Sequence, residues 1–268
     1  MKIGIIGCGN IGLLYAKSFT HYQICEQQNL FLFDKNEAKK EYSKNLNIGI
    51  VASIDHQDLV KACNLLILAV KPQDFKEAAL ILKNNIHKNQ TVLSIMAGIK
   101  ISQLSHALET ENVVRAMPNT PSLVGMGATV YTAHKNVNQK DVRTIENLLS
   151  TTGRTFYLEN EDLLDAVTAL SGSGPAYFFY FVKHLIDAGA EMGLDKSLSA
   201  MLVKQTMLGS FHLLNNTDKS LDELIQSVQS KGGTTEAALN FMNNEKMNKT
   251  LKNAIFMANQ RAKELSKQ

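Results

Sequence analysis

Proline is scarce in this chain. Four occur in 268 residues, where average usage of about 5% would give roughly 13. All four stand in short loops that follow hydrophobic runs: Pro72 in LAVKPQ, Pro118 and Pro121 in RAMPNTPSLVG, and Pro175 in LSGSGPAY. A proline in such a place fixes a sharp turn and lets neighbouring N–H groups be presented. Cysteine is sparse too. Cys8, Cys25 and Cys63 are odd in number and irregularly spaced, which excludes a disulfide framework and reads as reduced thiols in a cytoplasmic protein. No apolar run approaches the ~20 residues that span a bilayer. The chain enters a β-type run at Lys2, leaving no room for a signal peptide, so a soluble, cytoplasmic protein is expected. Lysines are scattered at a net charge of +3, with no basic stripe and no zinc-finger spacing. Neither nucleic acid nor a metal is therefore an expected partner.

What is present divides into two halves. Candidate strands are Lys2–Ile6, Leu30–Phe33, Ile48–Val51, Leu65–Val70, Thr91–Ile95, Asn112–Arg115, Ala128–Thr132 and Thr155–Leu158. Several are nearly continuous apolar runs, LLILAV above all, as strands covered on both faces should be. Helical stretches such as Lys71–Lys83 and Gln139–Leu149 lie between them, and this βαβ rhythm predicts a doubly wound, mainly parallel sheet. Past Glu161 the strand signal ends. Leu163–Leu170, Pro175–Gly193, Lys196–Leu214, Leu221–Gln229 and Glu236–Lys267 all read as helices, giving an expected division into residues 1–160 and 161–268. The helix at Pro175 opens AYFFYFV, apolar around its circumference, and such a helix must be buried on all sides. A helical domain this small rarely hides one alone, so an interdigitated homodimer is expected; the alternative is a monomer with one central helix.

The loops carry the chemistry. Gly7-Cys8-Gly9-Asn10-Ile11-Gly12 follows a strand and opens a helix, the setting that makes GxGxxG a dinucleotide fingerprint. Gly7 permits the turn, Gly9 lets the backbone approach the pyrophosphate, and Gly12 lets helix and strand pack. Asp34 ends the second strand, 22 residues past Gly12. A carboxylate there takes the ribose hydroxyls and repels a 2′-phosphate, although Lys35, Lys39 and Lys40 soften that repulsion; the alternative is an N-cap aspartate. The balance leans to NADH over NADPH. Ala69-Val70-Lys71-Pro72 closes the fourth strand at its carboxyl end, where ligands bind in such sheets, and Lys71 is either a phosphate or ribose contact or a solvated loop lysine. Ser94-Ile95-Met96-Ala97-Gly98 repeats the pattern after the fifth strand. In MPNTPSLVG, Met117 and Asn119 can line the nicotinamide side, or Asn119 can brace the turn between two prolines. Ser171-Gly172-Ser173-Gly174-Pro175 and Gly232-Gly233-Thr234-Thr235 each precede a helix, as anion sites or as plain caps. Together these loops point to a nicotinamide-dependent reductase of a small acidic substrate.

With these segments in hand, the chain resembles the pyrroline-5-carboxylate reductase family. GCGNIG, LAVKPQ, SIMAGI, VVRAMPNTPSLVGMGATVY, DAVTALSGSGPAYFF, AGAEMGL, QTMLGS and SKGGTTEAAL fall in the family's order nearly end to end. The resemblance implies a Rossmann-like domain followed by a helical domain that dimerises by interlocking, often within a ring of dimers. It implies reduction of 1-pyrroline-5-carboxylate to L-proline with NADPH or NADH. By position, Gly7 to Gly12, Ala69 to Pro72 and Ala97 would bind the dinucleotide, with Asp34, Lys35, His56, Met96 and Asn119 beside them. Glu161, Ser171, Ser173, Ser227, Gly233, Thr234 and Thr235 would surround the substrate, and Thr235 would place its hydroxyl near the ring nitrogen. The chain departs from the family pattern at Lys183 in the apolar helix, Lys231 before GGTT, Asp195-Lys196, Asp34 and His56.

A protonated imine is already electrophilic, so its reduction needs close contact of the two rings, water exclusion and a neutralised carboxylate rather than a strong acid. Loops rich in N–H and hydroxyl groups suit those demands. A β-hydroxyacid dehydrogenase, the enzyme rival, needs an acid–base lysine about four residues past its Gly-x-Gly turn; counting from Gly174 gives Phe178. A non-catalytic, dinucleotide-binding regulator is the rival from another class.

Overall fold

The computed structural model describes residues 1–266. Eight strands form one sheet: β1 Ile3–Ile6, β2 Leu30–Phe33, β3 Ile50–Ala52, β4 Leu65–Leu68, β5 Thr91–Ser94, β6 Val113–Met117, β7 Gly127–Ala133 and β8 Gly153–Tyr157. Their order is β3-β2-β1-β4-β5-β6-β7-β8, so the sheet reverses direction of growth beside β1, at its topological switch point. Every neighbouring pair is parallel except β6 and β7. The exception follows from length. The Pro118–Met126 connection is a short turn, and a parallel return needs about a dozen residues or more.

The apolar runs of the central strands feed both faces by simple alternation. Ile3, Ile5, Leu65 and Ile67 join one buried cluster with Leu13, Ala16 and Phe19 of helix α1 (Asn10–His21) and Ile145 and Leu148 of helix α6 (Gln139–Ser150). Ile6, Leu66 and Leu68 join the other, with Val60 of α3 (Gln57–Ala62), Phe75 and Leu82 of α4 (Phe75–Leu82) and Leu104 of α5 (Ile101–Leu108). Helix α2 (Glu37–Asn45) starts at Asn36, whose side chain accepts from the Lys39 N–H.

The chain falls into two compact units, one formed by Met1–Ser173 with the stretch from Ala258 onward, the other by Gly174–Met257. The first includes α7 (Leu164–Val167) and a π-helical turn at Thr168–Gly172. The second holds α8 (Gly174–Glu191), α9 (Lys196–Asn215), α10 (Leu221–Ser227), α11 (Thr234–Asn244) and the first part of α12 (Met247–Leu265). The sequence pattern predicts one helix over Glu236–Lys267. Two are found, because the run Asn243-Asn244-Glu245 favours a helix end and Lys246 takes a left-handed φ of 55°; Lys267 lies outside the described residues. Asp195 caps α9, its carboxylate accepting from the Ser197 and Leu198 N–H groups.

Helix α8 is expected from its sequence to be buried on all sides. Within one chain only Gly174 and Gly189 of it are buried, and Phe178, Phe179 and Tyr180 are 62%, 68% and 63% exposed. Apolar surface of that extent marks an interaction face. No helix among the described residues is long and apolar enough to cross a membrane.

Candidate active site

A cavity of about 650 Å³ opens at the switch point, above the carboxyl ends of β1, β2, β4 and β5. Gly7, Gly9, Asn10, Ile11, Asp34, Lys35, Ala69, Val70, Lys71, Pro72, Met96 and Ala97 of the expected cofactor set line it. Cys8, Gly12, His56 and Asn119 do not. Cys8 faces inward, 3% exposed, and contributes its backbone; burial raises its thiol above the ordinary range. His56 is exposed at the start of α3, and Ile54 lines the cavity in its neighbourhood instead. Gly12 acts through packing: a Cβ there would collide with the Gly7 carbonyl oxygen.

The glycine loop is tied to the end of β2 by two bonds. Gly7 N–H donates to the Phe33 carbonyl at 2.7 Å, and Cys8 N–H to Asp34 Oδ2 at 2.8 Å. Asp34 Oδ1 accepts from the Asn36 N–H at 2.9 Å. The α2 cap is therefore Asn36, and Asp34 instead braces the loop from the cavity wall, with Lys39 Nζ 3.6 Å away. Lys35 Nζ reaches across to Glu77 at 2.6 Å and Asp74 at 3.2 Å; those two carboxylates raise its pKa, Glu77 the more.

The residues present fit a dinucleotide. Nothing lies within 4 Å of where a Gly9 Cβ would stand, so the loop backbone is open to the cavity. Helix α1 begins at Gly9 with no side chain capping it, leaving its first N–H groups and its positive dipole end for a phosphate.

Asn119 is engaged elsewhere in the same unit. Its Oδ1 accepts from the Ala128 N–H at 2.9 Å, and its Nδ2 donates to Ser171 Oγ at 3.2 Å. It thus braces the β6–β7 turn and holds the π-helical turn that precedes Ser173, while Met117 Cε would stand 2.7 Å from a Cβ at Gly172. Glu161 Oε1 accepts from the Ile101 N–H and from Arg115 Nη1, both at 2.8 Å.

In the helical unit, Gly233 starts α11 without a side-chain cap. Gly232 has a left-handed φ of 75°, and its N–H donates to Glu236 at 2.7 Å, which ties the loop to the helix. Among the described residues neither Thr234 nor Thr235 shows a hydroxyl hydrogen bond, so both hydroxyls are available. Ser227 sits at the end of α10, donating to the Leu224 carbonyl. It is Ser230 that enters the loop: its carbonyl accepts from Gly233 N–H at 2.9 Å and its hydroxyl lies against Gly233. Sequence reasoning misses it, although SKGG itself is the signal. Lys183 pairs with Asp187 at 2.7 Å on the surface of α8.

Comparison with known proteins agrees with this geometry. The description "pyrroline-5-carboxylate reductase dimerisation" matches residues 161–265, and "NADP oxidoreductase coenzyme F420-dependent" matches residues 2–98. Pyrroline-5-carboxylate reductase from Pisum sativum is 32% identical over 264 residues, covering 98% of this chain and 96% of that protein. The chain belongs to the pyrroline-5-carboxylate reductase family. The Aquifex aeolicus reductase is 33% identical, covering 99% and 97% of the two chains. The crystal structure of Plasmodium falciparum pyrroline carboxylate reductase with NADP bound superposes with a TM-score of 0.89 at 31% identity, covering 99% and 98%. In this family frame the mainly parallel sheet is the Rossmann-like cofactor domain and the helices form the dimerisation domain. The family supports an NAD(P)H-dependent enzyme that acts as a homodimer on a small molecule.

Proposed function

We propose that this chain reduces 1-pyrroline-5-carboxylate to L-proline in the cytoplasm, as the last step of proline biosynthesis, with NADH preferred to NADPH. Residues 1–160 serve the dinucleotide; residues 161–268 serve dimerisation and substrate, in homodimers further assembled into a ring. The observation that carries the reading is the cavity at the switch point, floored by an open glycine loop and an uncapped helix N-terminus. The NADH preference is supported by Asp34, fixed in the cavity wall by two backbone N–H groups. Three unpaired cysteines support a reducing compartment.

Bound NAD(P)H supplies the hydride. The protein holds and orients the imine and excludes water. The N–H groups at the start of α11, with the Thr234 hydroxyl, receive the carboxylate, and Thr235 donates a hydrogen bond to the ring nitrogen. Ser171 and Ser173 are assigned to substrate binding as well, and Asn119 positions Ser171. Glu161 and Ser227 serve through the segments they brace.

The test is oxidation of NADH and of NADPH by the purified dimer with pyrroline-5-carboxylate, followed by absorbance. Turnover with both, faster with NADH, is expected. Thr235→Ala should lower kcat/KM for the imine about a hundredfold and leave dinucleotide affinity unchanged. Tight dinucleotide binding without turnover would turn the reading toward a regulatory protein or another imine.

A further inference from the structure

Three stretches far apart in the sequence close a ring of contacts around the loop that carries Met96 and Ala97 into the cavity. Gly98, next in that loop, has a left-handed φ of 73°, and a Cβ on it would stand 3.2 Å from Cβ of Leu265. Beyond it, Ile101 N–H donates to Glu161 Oε1 at 2.8 Å and Lys100 Nζ pairs with Asp162 at 2.9 Å. The same Glu161 oxygen accepts from Arg115 Nη1, and Arg115 Nη2 lies 3.7 Å from Asp165 Oδ1. Ser266 Oγ donates to that Asp165 oxygen at 2.8 Å, and Ser266 follows Leu265, so the ring is complete. Arg115, Asp165 and Ser266 are 2%, 4% and 4% exposed. A charged cluster so deep persists only when every member is paired, and none of its members lines the cavity.

We propose that the end of the last helix, Leu265–Ser266, with Asp165, Arg115 and Glu161, is a positioning device for the cofactor. Leu265 seats the backbone of Gly98, Ser266 locks Leu265 through Asp165, and Arg115 carries the lock to Glu161, which holds the start of α5. These two anchors hold the carboxyl side of the loop that presents Met96 and Ala97 to the cavity. Dinucleotide affinity and ring alignment therefore depend on residues at the far end of the chain. The inference rests on the dinucleotide reading of the cavity.

The experiment uses the full-length dimer and three variants: Ser266→Ala, Ser266→Thr, which keeps the hydroxyl, and Leu265→Gly, which removes the Cβ that meets Gly98. Amide hydrogen exchange on the ligand-free protein is the readout independent of turnover. Exchange at Met96–Ile101 should accelerate in Ser266→Ala and Leu265→Gly and return toward wild type in Ser266→Thr, with Gly7–Gly12 unaffected. Dissociation constants for NADH from fluorescence titration should rise roughly tenfold in Ser266→Ala and Leu265→Gly and stay near wild type in Ser266→Thr, with the KM for the imine unchanged. Lys249→Ala, earlier on α12, should move nothing. A lowered Tm with unchanged loop exchange and NADH affinity would overturn the proposal, because the cluster would then only hold the fold together. Failure of the wild-type protein to bind either dinucleotide would overturn the cofactor reading instead, while loop exchange would still report on the lock.

Discussion

The proposed NADH preference is a question of single charges around Asp34. Three carboxylates (Asp34, Asp74 and Glu77) and three ammonium groups (Lys35, Lys39 and Lys71) line the cavity. Two of the ammonium groups are already matched, Lys35 to Asp74 and Glu77, Lys39 to Asp34. A 2′-phosphate brings nearly two further negative charges into a set in which, among the described residues, Lys71 alone has no carboxylate partner. Exposed pairs of this kind are weak and screened, so the effect is one of local field. The double variant Asp74→Asn/Glu77→Gln should raise the NADPH to NADH ratio of kcat/KM about tenfold, and adding Lys35→Met should cancel the gain; an unchanged ratio in the double variant would show that Asp34 alone decides. A different residue-scale effect is buried at Cys63, whose thiol is pushed from its ordinary 9.0 up to about 12 by desolvation. Between those limits the unfolded chain loses a proton that the folded chain keeps. Stability must then fall as pH rises through that window, by up to about 1.4 kcal/mol per pH unit. Urea unfolding at rising alkaline pH should show that slope, and Cys63→Ala should reduce it, the remainder coming from the other raised groups, Cys8, Cys25, Tyr15 and Tyr131.

At the scale of elements, legibility in the sequence tracks how local the cause is. The central strands are legible because a strand covered on both faces must be apolar at successive positions, as LLILAV is, while the edge strands β3 and β8, both partly exposed, show as short β-type runs between helices. The glycine loop is legible for the same reason: strand, turn and helix are contiguous. What escapes depends on residues distant in the chain. Asn119 stands open in the sequence between cofactor contact and turn brace, and only the fold shows its amide spent on Ala128 and Ser171. Asp34 competes in the sequence with an N-cap role that Asn36 fills, since a carboxylate two residues before the true cap has the same local pattern. The Glu236–Lys267 stretch reads as continuous because its break is confined to Asn243–Lys246, a short polar run that also fits an exposed helix face. The Arg115 cluster is invisible: it joins β6, the stretch after β8 and the end of α12, and no spacing rule connects them. The charges at Glu161 and Asp165 look like an ordinary helix start.

The whole molecule poses the question of what covers the helical unit. Phe178, Phe179, Phe211, Phe241, Phe256 and Met257 each leave more than half of their surface exposed in a single chain, and this region matches the family's dimerisation domain. Burying an aromatic or aliphatic side chain of this size contributes about 1.5–3 kcal/mol, while a whole domain is stable by only about 5–15 kcal/mol. Even part of that surface, left in water, removes a stabilisation comparable to the total. Folding of residues 174–257 is therefore expected to be coupled to pairing, with no stable folded monomer, and apparent stability then follows protein concentration by mass action. Thermal unfolding of the wild-type protein should shift upward as its concentration is raised, and sedimentation at micromolar concentration should show a dimer or a multiple of it. Phe179→Glu places a carboxylate where the partner copy must seat, at the cost of an unpaired buried charge. It should yield monomer whose helical unit has lost protection from amide exchange, while the strands of the sheet keep theirs, because the two clusters on the sheet faces lie within the first unit. A Phe179→Glu monomer with the helical unit fully protected would mean that the unit closes on its own core, and pairing would then be an addition to the fold and no longer a condition of it.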